Sequence, residues 1–101
     1  MTDLKIHGFN HTSFTVEDLD RSVTFFCEAL GFELMNKAPR NPDAIQHISG
    51  VEGADIVVAF IQGPGHRLEL IEYIAPADRG ANTARPCDTA FAPIALDVND
   101  V

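Results

Sequence analysis

The order of apolar and polar residues predicts a strand followed by a helix near the start of the chain. Residues 9–16 alternate in polarity, which is typical of a half-buried strand and places His11 on its more polar face. Asp18 follows this segment, and aspartate is one of the residues preferred at a helix N-cap. Apolar residues follow at helical spacing and form one stripe, made of Leu19, Val23, Phe26, Cys27 and Leu30. Gly31 ends the predicted helix, because glycine tolerates the positive φ common just past a helix C-terminus.

Three further strands are predicted after the helix. They cover residues 32–37, 55–62 and 67–73. Residues 55–62 are rich in β-branched and aromatic residues, and the Gly-Pro-Gly turn at residues 63–65 joins them to the last strand as a hairpin. Pro39 and Pro42 mark a loop, and residues 45–49 indicate one more, weaker strand. The pattern therefore predicts an α+β fold of the order βαβββ, a sheet with the helix on its convex face and a concave, partly polar face left open.

The end of the chain repeats its beginning. Residues 93–101 match residues 11–19 position by position, with an alternating segment followed by a valine, an acidic or amide residue, an aspartate and an aliphatic residue. Such an echo is typical of a duplicated structural unit. We therefore expect three regions: a first module at residues 1–73, a linker at residues 74–90 without clean periodicity, and the first strand and helix start of an incomplete second module at residues 91–101.

Composition narrows the class of protein. The 101 residues include 15 acidic and seven basic ones, a formal charge of −8 that repels nucleic acid and anionic lipid surfaces. The longest apolar run, residues 56–61, is too short to cross a bilayer. The first residues lack the features of a secretory signal, and the two cysteines have dissimilar contexts, so a cytoplasmic location is expected. Small molecules are the expected partners, and nucleic acid and membrane are not.

Two residues combine the chemistry of a metal or catalytic site with a mid-strand position. Glu69 lies between Leu68 and Leu70, where a carboxylate is costly unless it is paired or binds a cation. His11 lies on the polar face of the first strand. If both face one concavity, they form half of a ligand set suited to Zn²⁺, Ni²⁺, Fe²⁺ or Mn²⁺. The alternatives are ordinary: a strand histidine bonded to a neighbour, and a glutamate paired with an arginine across the sheet.

The same residues carry a resemblance to a known family. Residues 9–26, the Leu-Gly-Phe of residues 30–32 and the Leu-Glu-Leu-Ile-Glu-Tyr of residues 68–73 resemble the first module of the vicinal oxygen chelate superfamily, which includes glyoxalase I, methylmalonyl-CoA epimerase, extradiol dioxygenases and bleomycin-binding proteins. The resemblance implies paired βαβββ modules around a cavity. It also implies that His11 and Glu69 are metal ligands of the first and last strands, with Glu69 the candidate catalytic carboxylate as well. Glu72 is expected to be a surface acid on the opposite face.

Pro93 departs from the family pattern. It occupies the position matched to His11, where catalytic members of the family usually carry a third ligand, and its side chain offers no donor. Three explanations stay open: a paired or swapped homodimer completes the site, the chain is part of a longer protein, or the cavity works without metal. The corresponding functions are a metal-dependent lyase or isomerase of the glyoxalase and epimerase kind acting on a small carbonyl substrate, and a metal-free dimer that binds a small ligand as bleomycin-binding proteins do.

Overall fold

The computed structural model describes residues 3–100 and has the predicted α+β architecture. The strands are β1 (Thr12–Thr15), β2 (Glu33–Pro39), β3 (Asp55–Gly63) and β4 (His66–Ala75), and the helices are α1 (Leu19–Thr24) and α2 (Pro42–Ser49). A π-helical segment, Phe25–Ala29, continues α1. No helix within the described residues is long and apolar enough to span a membrane.

The four strands form one mixed sheet in the order β1-β4-β3-β2. β1 runs parallel to β4, while β3 is antiparallel to both β4 and β2. The hairpin between β3 and β4 forms where the Gly-Pro-Gly turn predicts it, with Gly63 paired to His66. Because β1 and β2 are the edges of the sheet, the strand that directly follows the candidate histidine has a neighbour on one side only.

The core lies between α1 and one face of the sheet. Its buried residues are Leu19, Ala59, Ile61, Leu68 and Leu70, and partly buried side chains including Phe14, Val23, Phe26, Cys27 and Phe32 pack around them. Burying each large aliphatic side chain contributes roughly 1.5–3 kcal/mol. The predicted helical stripe is therefore confirmed, except that Leu30 stays 41% exposed.

Two carboxylates fix the start of α1. Asp18 accepts a hydrogen bond from the Arg21 backbone N–H at 3.0 Å, as expected of an N-cap. Glu72 of β4 accepts one from the Leu19 N–H at 2.7 Å. Glu72 is half-buried and ties the helix to the sheet, so the expectation of a plain surface acid was wrong. The alternation of side chains along the strand correctly placed Glu72 on the face opposite Glu69. The face of Glu72 is the one that α1 covers.

The predicted weak strand at residues 45–49 is wrong, because this segment belongs to α2. Asn41 caps the helix by accepting from the Ala44 N–H at 3.2 Å, and Pro42 occupies its first turn, where a missing N–H costs nothing. Gly50 ends it with φ 71°. α2 contacts β3, and so adds a short helix between β2 and β3 to the predicted order of elements.

β1 is shorter than the predicted strand at residues 9–16. Residues 76–100 contain neither helix nor strand, and residues 91–100 are exposed. The predicted strand near Pro93 is therefore not formed within the described residues, where this segment pairs with none of the four strands. The division into modules stays a prediction, and its outermost residues, Met1, Thr2 and Val101, lie outside the described part.

Candidate functional site

The face of the sheet opposite α1, called here the open face, carries the candidate site. Strand pairing sets Glu69 of β4 beside Ser13 of β1 on one side and Phe60 of β3 on the other. Because side chains alternate along each strand, these three residues point away from the buried Leu68 and Leu70. The pairing of the sheet thus gathers residues from three strands around one carboxylate.

Glu69 is held in place by a hydroxyl. Its Oε1 atom accepts a hydrogen bond from Ser13 Oγ at 2.7 Å and lies 3.5 Å from His11 Nε2. The side chain is 17% exposed. No hydrogen bond to the second carboxylate oxygen, Oε2, is formed within residues 3–100. Oε1 therefore already has a hydrogen-bond donor, whereas Oε2 has none within residues 3–100.

His11 lies immediately before β1 rather than in the middle of a strand, yet it still reaches Glu69. Its Nδ1 atom lies 2.6 Å from Asn10 Oδ1. Since an amide oxygen can only accept, this contact is a hydrogen bond when Nδ1 carries a proton. The ring packs edge-on against Phe60 with centroids 5.2 Å apart, and 31% of the side chain is exposed. These contacts hold the imidazole in its orientation.

The distance between His11 and Glu69 suits either an ion pair or a shared cation. A ring protonated on both nitrogens would pair directly with the carboxylate oxygen at 3.5 Å, whereas a ring protonated on Nδ1 alone would turn the lone pair of Nε2 toward that oxygen and leave a cation to join the two acceptors. Ligand atoms bound to one Zn²⁺ at about 2.0–2.2 Å in a tetrahedral arrangement lie roughly 3.3–3.5 Å apart. The spacing of His11 and Glu69 therefore fits two ligands of one divalent ion, and the bond from Nδ1 to Asn10 is the outer contact that metal-binding histidines usually make.

Only half of a ligand set is assembled by the described part of the chain. Within residues 3–100 no third His, Cys, Asp or Glu joins the pair. Pro93 is exposed, as are His7 and His47. His66 is half-buried and lies 2.8 Å from Thr12 Oγ1 through its Nε2 atom, on the α1 side of the sheet. None of the other histidines therefore contributes to the site.

Sequence reasoning did not single out four residues that lie near the pair. Ser13, Phe60 and Arg67 belong to the open face, and Asn10 contacts His11 from the segment before β1. The alternation that selected His11 and Glu69 also places Ser13 and Arg67 on the same faces, so a signal existed for these two. Asn10 and Phe60 become part of the site only through the packing of the His11 ring, which no local pattern encodes.

A cavity of about 600 Å³ lies away from this pair. It is bounded by Leu30, Phe32 and Leu68 and by residues 94–98, whose side chains are mostly apolar. Thr12 and Leu68 belong to the face that α1 covers, so the cavity is not part of the open face. The candidate site is defined by the side chains of His11 and Glu69, and neither residue lines this cavity.

Fold and site together define a class of protein. Residues 8–101 match the family Glyoxalase, described as the Glyoxalase/Bleomycin resistance protein/Dioxygenase superfamily, and the chain belongs to it. The resemblance drawn from the sequence is thereby confirmed.

The chain is also similar to two individual proteins. The 2-epi-5-epi-valiolone epimerase of an Actinomyces species is 34% identical over 96 residues, which cover 91% of this chain and 52% of that enzyme. A crystal structure of a glyoxalase family protein from Bacillus cereus matches with a TM-score of 0.77 and 26% identity, over 90% of this chain and 62% of the other. The chain therefore spans about half the length of this epimerase and about three fifths of the Bacillus cereus protein.

Proposed function

We propose that this chain supplies two ligands, His11 and Glu69, to a divalent metal centre of a glyoxalase- or epimerase-type lyase or isomerase acting on a small carbonyl compound. The observation that carries the proposal is the 3.5 Å approach of His11 Nε2 and Glu69 Oε1 on the open face. The similarity to an epimerase supports the reaction class.

Each residue of the site has a defined task in this proposal. Asn10 keeps the Nε2 lone pair of His11 available, and Ser13 holds Oε1 of Glu69 in place. A bound Zn²⁺, Ni²⁺, Fe²⁺ or Mn²⁺ ion would polarise the substrate carbonyl and so acidify the adjacent C–H bond. Oε2 of Glu69, which has no hydrogen-bond partner within residues 3–100, would accept that proton and return it.

The remaining ligands must come from outside this set. A homodimer, with paired or swapped modules, would bring a second His11 and a second Glu69 to the same ion. A longer protein would supply equivalent residues from a second module. Pro93 weakens the simplest form of the second arrangement, because it stands where the repeat places a third ligand and has no donor.

Pro93 and the incomplete ligand set also favour a second candidate function. A metal-free dimer could enclose a small ligand between two open faces, as bleomycin-binding members of the family do. The His11–Glu69 pair argues against this alternative, because a simple apolar pocket gains nothing from two polar side chains that are costly to bury.

Metal content separates the two functions. Purified protein is stripped with a chelator, reloaded separately with Zn²⁺, Ni²⁺, Fe²⁺ and Mn²⁺, and measured by elemental analysis at a pH above 7, where histidine is mostly neutral. We expect stoichiometric binding of at least one of these ions, its loss in His11→Ala, and no loss in His47→Ala, which removes an exposed histidine of α2. Equal metal content in the two variants would remove His11 from the site.

Turnover is tested separately by hydrogen exchange. Because epimerisation beside a carbonyl removes a C–H proton, the loaded enzyme in D₂O should exchange the protons next to the carbonyl of hydroxyacetone faster than buffer does. Glu69→Gln should abolish this exchange and weaken metal binding. Tight metal binding without any exchange, combined with binding of a small aromatic ligand by a dimer, would favour the binding function.

A further inference from the structure

Arg67 is the one half-buried arginine of the described chain whose side chain makes no hydrogen bond and no ion pair. Its Nε atom is buried without a hydrogen-bond partner, and no carboxylate of residues 3–100 lies within 4.0 Å of the guanidinium. Three other arginines do have partners: Arg40 and Arg79 donate to backbone carbonyls, and Arg85 pairs with Asp88.

The strand pairing places an amide rather than an acid opposite Arg67. Arg67 lies on the open face of β4, two residues before Glu69 and opposite Gln62 of β3. The Gln62 NH₂ group donates to the carbonyls of Gly63 and His66, and the Gln62 Oε1 atom forms no hydrogen bond with Arg67. The chain therefore presents an unneutralised guanidinium on the same face as the His11–Glu69 pair, although its net charge is −8.

A buried donor without an acceptor lowers stability, and an acceptor supplied by a ligand would recover part of that loss. Same-face neighbours on a strand are about 6–7 Å apart. Glu69 and Arg67 can therefore contact two different parts of one small molecule on the open face. The planar guanidinium matches carboxylate and phosphate oxygens through paired N–H groups, which a lysine cannot offer in the same geometry.

We propose that Arg67 binds the anionic group, a carboxylate or a phosphate, of a small carbonyl compound held on the open face. The inference rests on the proposed function, since that function places the reacting carbonyl at His11 and Glu69, and it narrows the substrate to an anionic one. Glu69 and Arg67 would then define the two ends of the substrate.

The test uses probes that differ in charge. Binding of pyruvate, its neutral methyl ester and inorganic phosphate to the metal-loaded and metal-free protein is measured by calorimetry. We expect at least one anion to bind about tenfold or more tightly than the ester, and Arg67→Met to remove that difference. Arg21→Met, which removes an exposed arginine of α1, should keep it. Tighter binding of pyruvate identifies a carboxylate site, and tighter binding of phosphate identifies a phosphate site.

Three results would overturn the inference: equal affinity for pyruvate and its ester without any binding of phosphate, an anion preference that survives in Arg67→Met, or a lower melting temperature of Arg67→Met together with loss of self-association. The last would mean that Arg67 pairs with an acid of a second copy. Failure of the proposed function is read out independently, because Arg67→Met should leave the metal content unchanged while His11→Ala removes it.

Discussion

Asn10 holds the imidazole of His11 through the 2.6 Å contact between its Oδ1 atom and Nδ1. If His11 is a metal ligand as proposed, we predict that Asn10→Ala lowers the affinity for added metal about tenfold, within the range found when the outer partner of a histidine ligand is removed. A competition titration with a chromophoric chelator measures this, and Asn36→Ala, an exposed asparagine of β2, is the control. Equal affinities of the two variants would show that Asn10 does not orient the ligand.

Gly63 is required by a close approach rather than by backbone conformation. A Cβ atom at this position would lie 2.5 Å from Cε2 of Phe32, whose ring packs against the core. We predict that Gly63→Ala lowers the free energy of unfolding by about 1–3 kcal/mol, the usual cost of overpacking. Urea denaturation measures the change, and Gly80→Ala, whose Cβ would meet nothing within 4 Å, is the matched control. A stability equal to that of the control would mean that the ring moves aside freely.

The residues of the candidate site differ in how far the sequence could predict them. His11 and Glu69 were found because period-two alternation fixes the face of a strand side chain, and the structure brings them within 3.5 Å. Ser13 binds Glu69 only because β1 pairs with β4 in a particular parallel register. Alternation along the chain indicates the face on which Ser13 lies. It does not indicate that Ser13 pairs with Glu69, because the two residues are more than 50 positions apart. The lack of a partner at Arg67 likewise depends on every neighbour that packs around it.

At the scale of elements, α1 depends on an acid from a distant strand as well as on its own N-cap. Glu72→Ala would leave the Leu19 N–H partly buried without an acceptor, so we predict a loss of about 1–3 kcal/mol in the free energy of unfolding. Asp18→Ala, which removes the N-cap, should cost about 1 kcal/mol. Urea denaturation compares both with Glu52→Ala, an exposed glutamate outside the helices and strands. If Glu72→Ala were as stable as Glu52→Ala, the bond to Leu19 would contribute nothing.

The second helix shows why one element was predicted wrongly. Its two isoleucines at positions 45 and 48 suggested a strand, since β-branched residues favour strands. The stronger signals were the boundaries: Asn41 as N-cap, Pro42 in the first turn and Gly50 past the end. α1, β3 and β4 were predicted well, because the apolar stripe of the helix and the dense apolar strands are long enough for their period to be decisive.

At the scale of the whole molecule, the open face and the free edge of β1 are features that a second unit would cover. Residues 93–98 repeat the pattern of β1 but stay unpaired, and apolar side chains among them, including Ile94, Leu96 and Val98, are 40–54% exposed. Exposed apolar surface next to an unpaired strand edge favours association. The expectation of a homodimer follows from these features together with the half-complete ligand set.

Metal binding and association are coupled if two copies complete one site. A two-fold pair that closes its open faces on one ion would use His11 and Glu69 of each copy, so we predict one bound ion per two chains. Because the ion would bind the dimer more tightly than the monomer, saturating metal must lower the dissociation constant of the dimer. Sedimentation equilibrium with chelator and with metal measures this shift. His11→Ala should lose the response to metal, and His47→Ala should retain it. One ion per chain, with no change in the mass in solution, would show that the ligands missing from residues 3–100 do not come from a second copy.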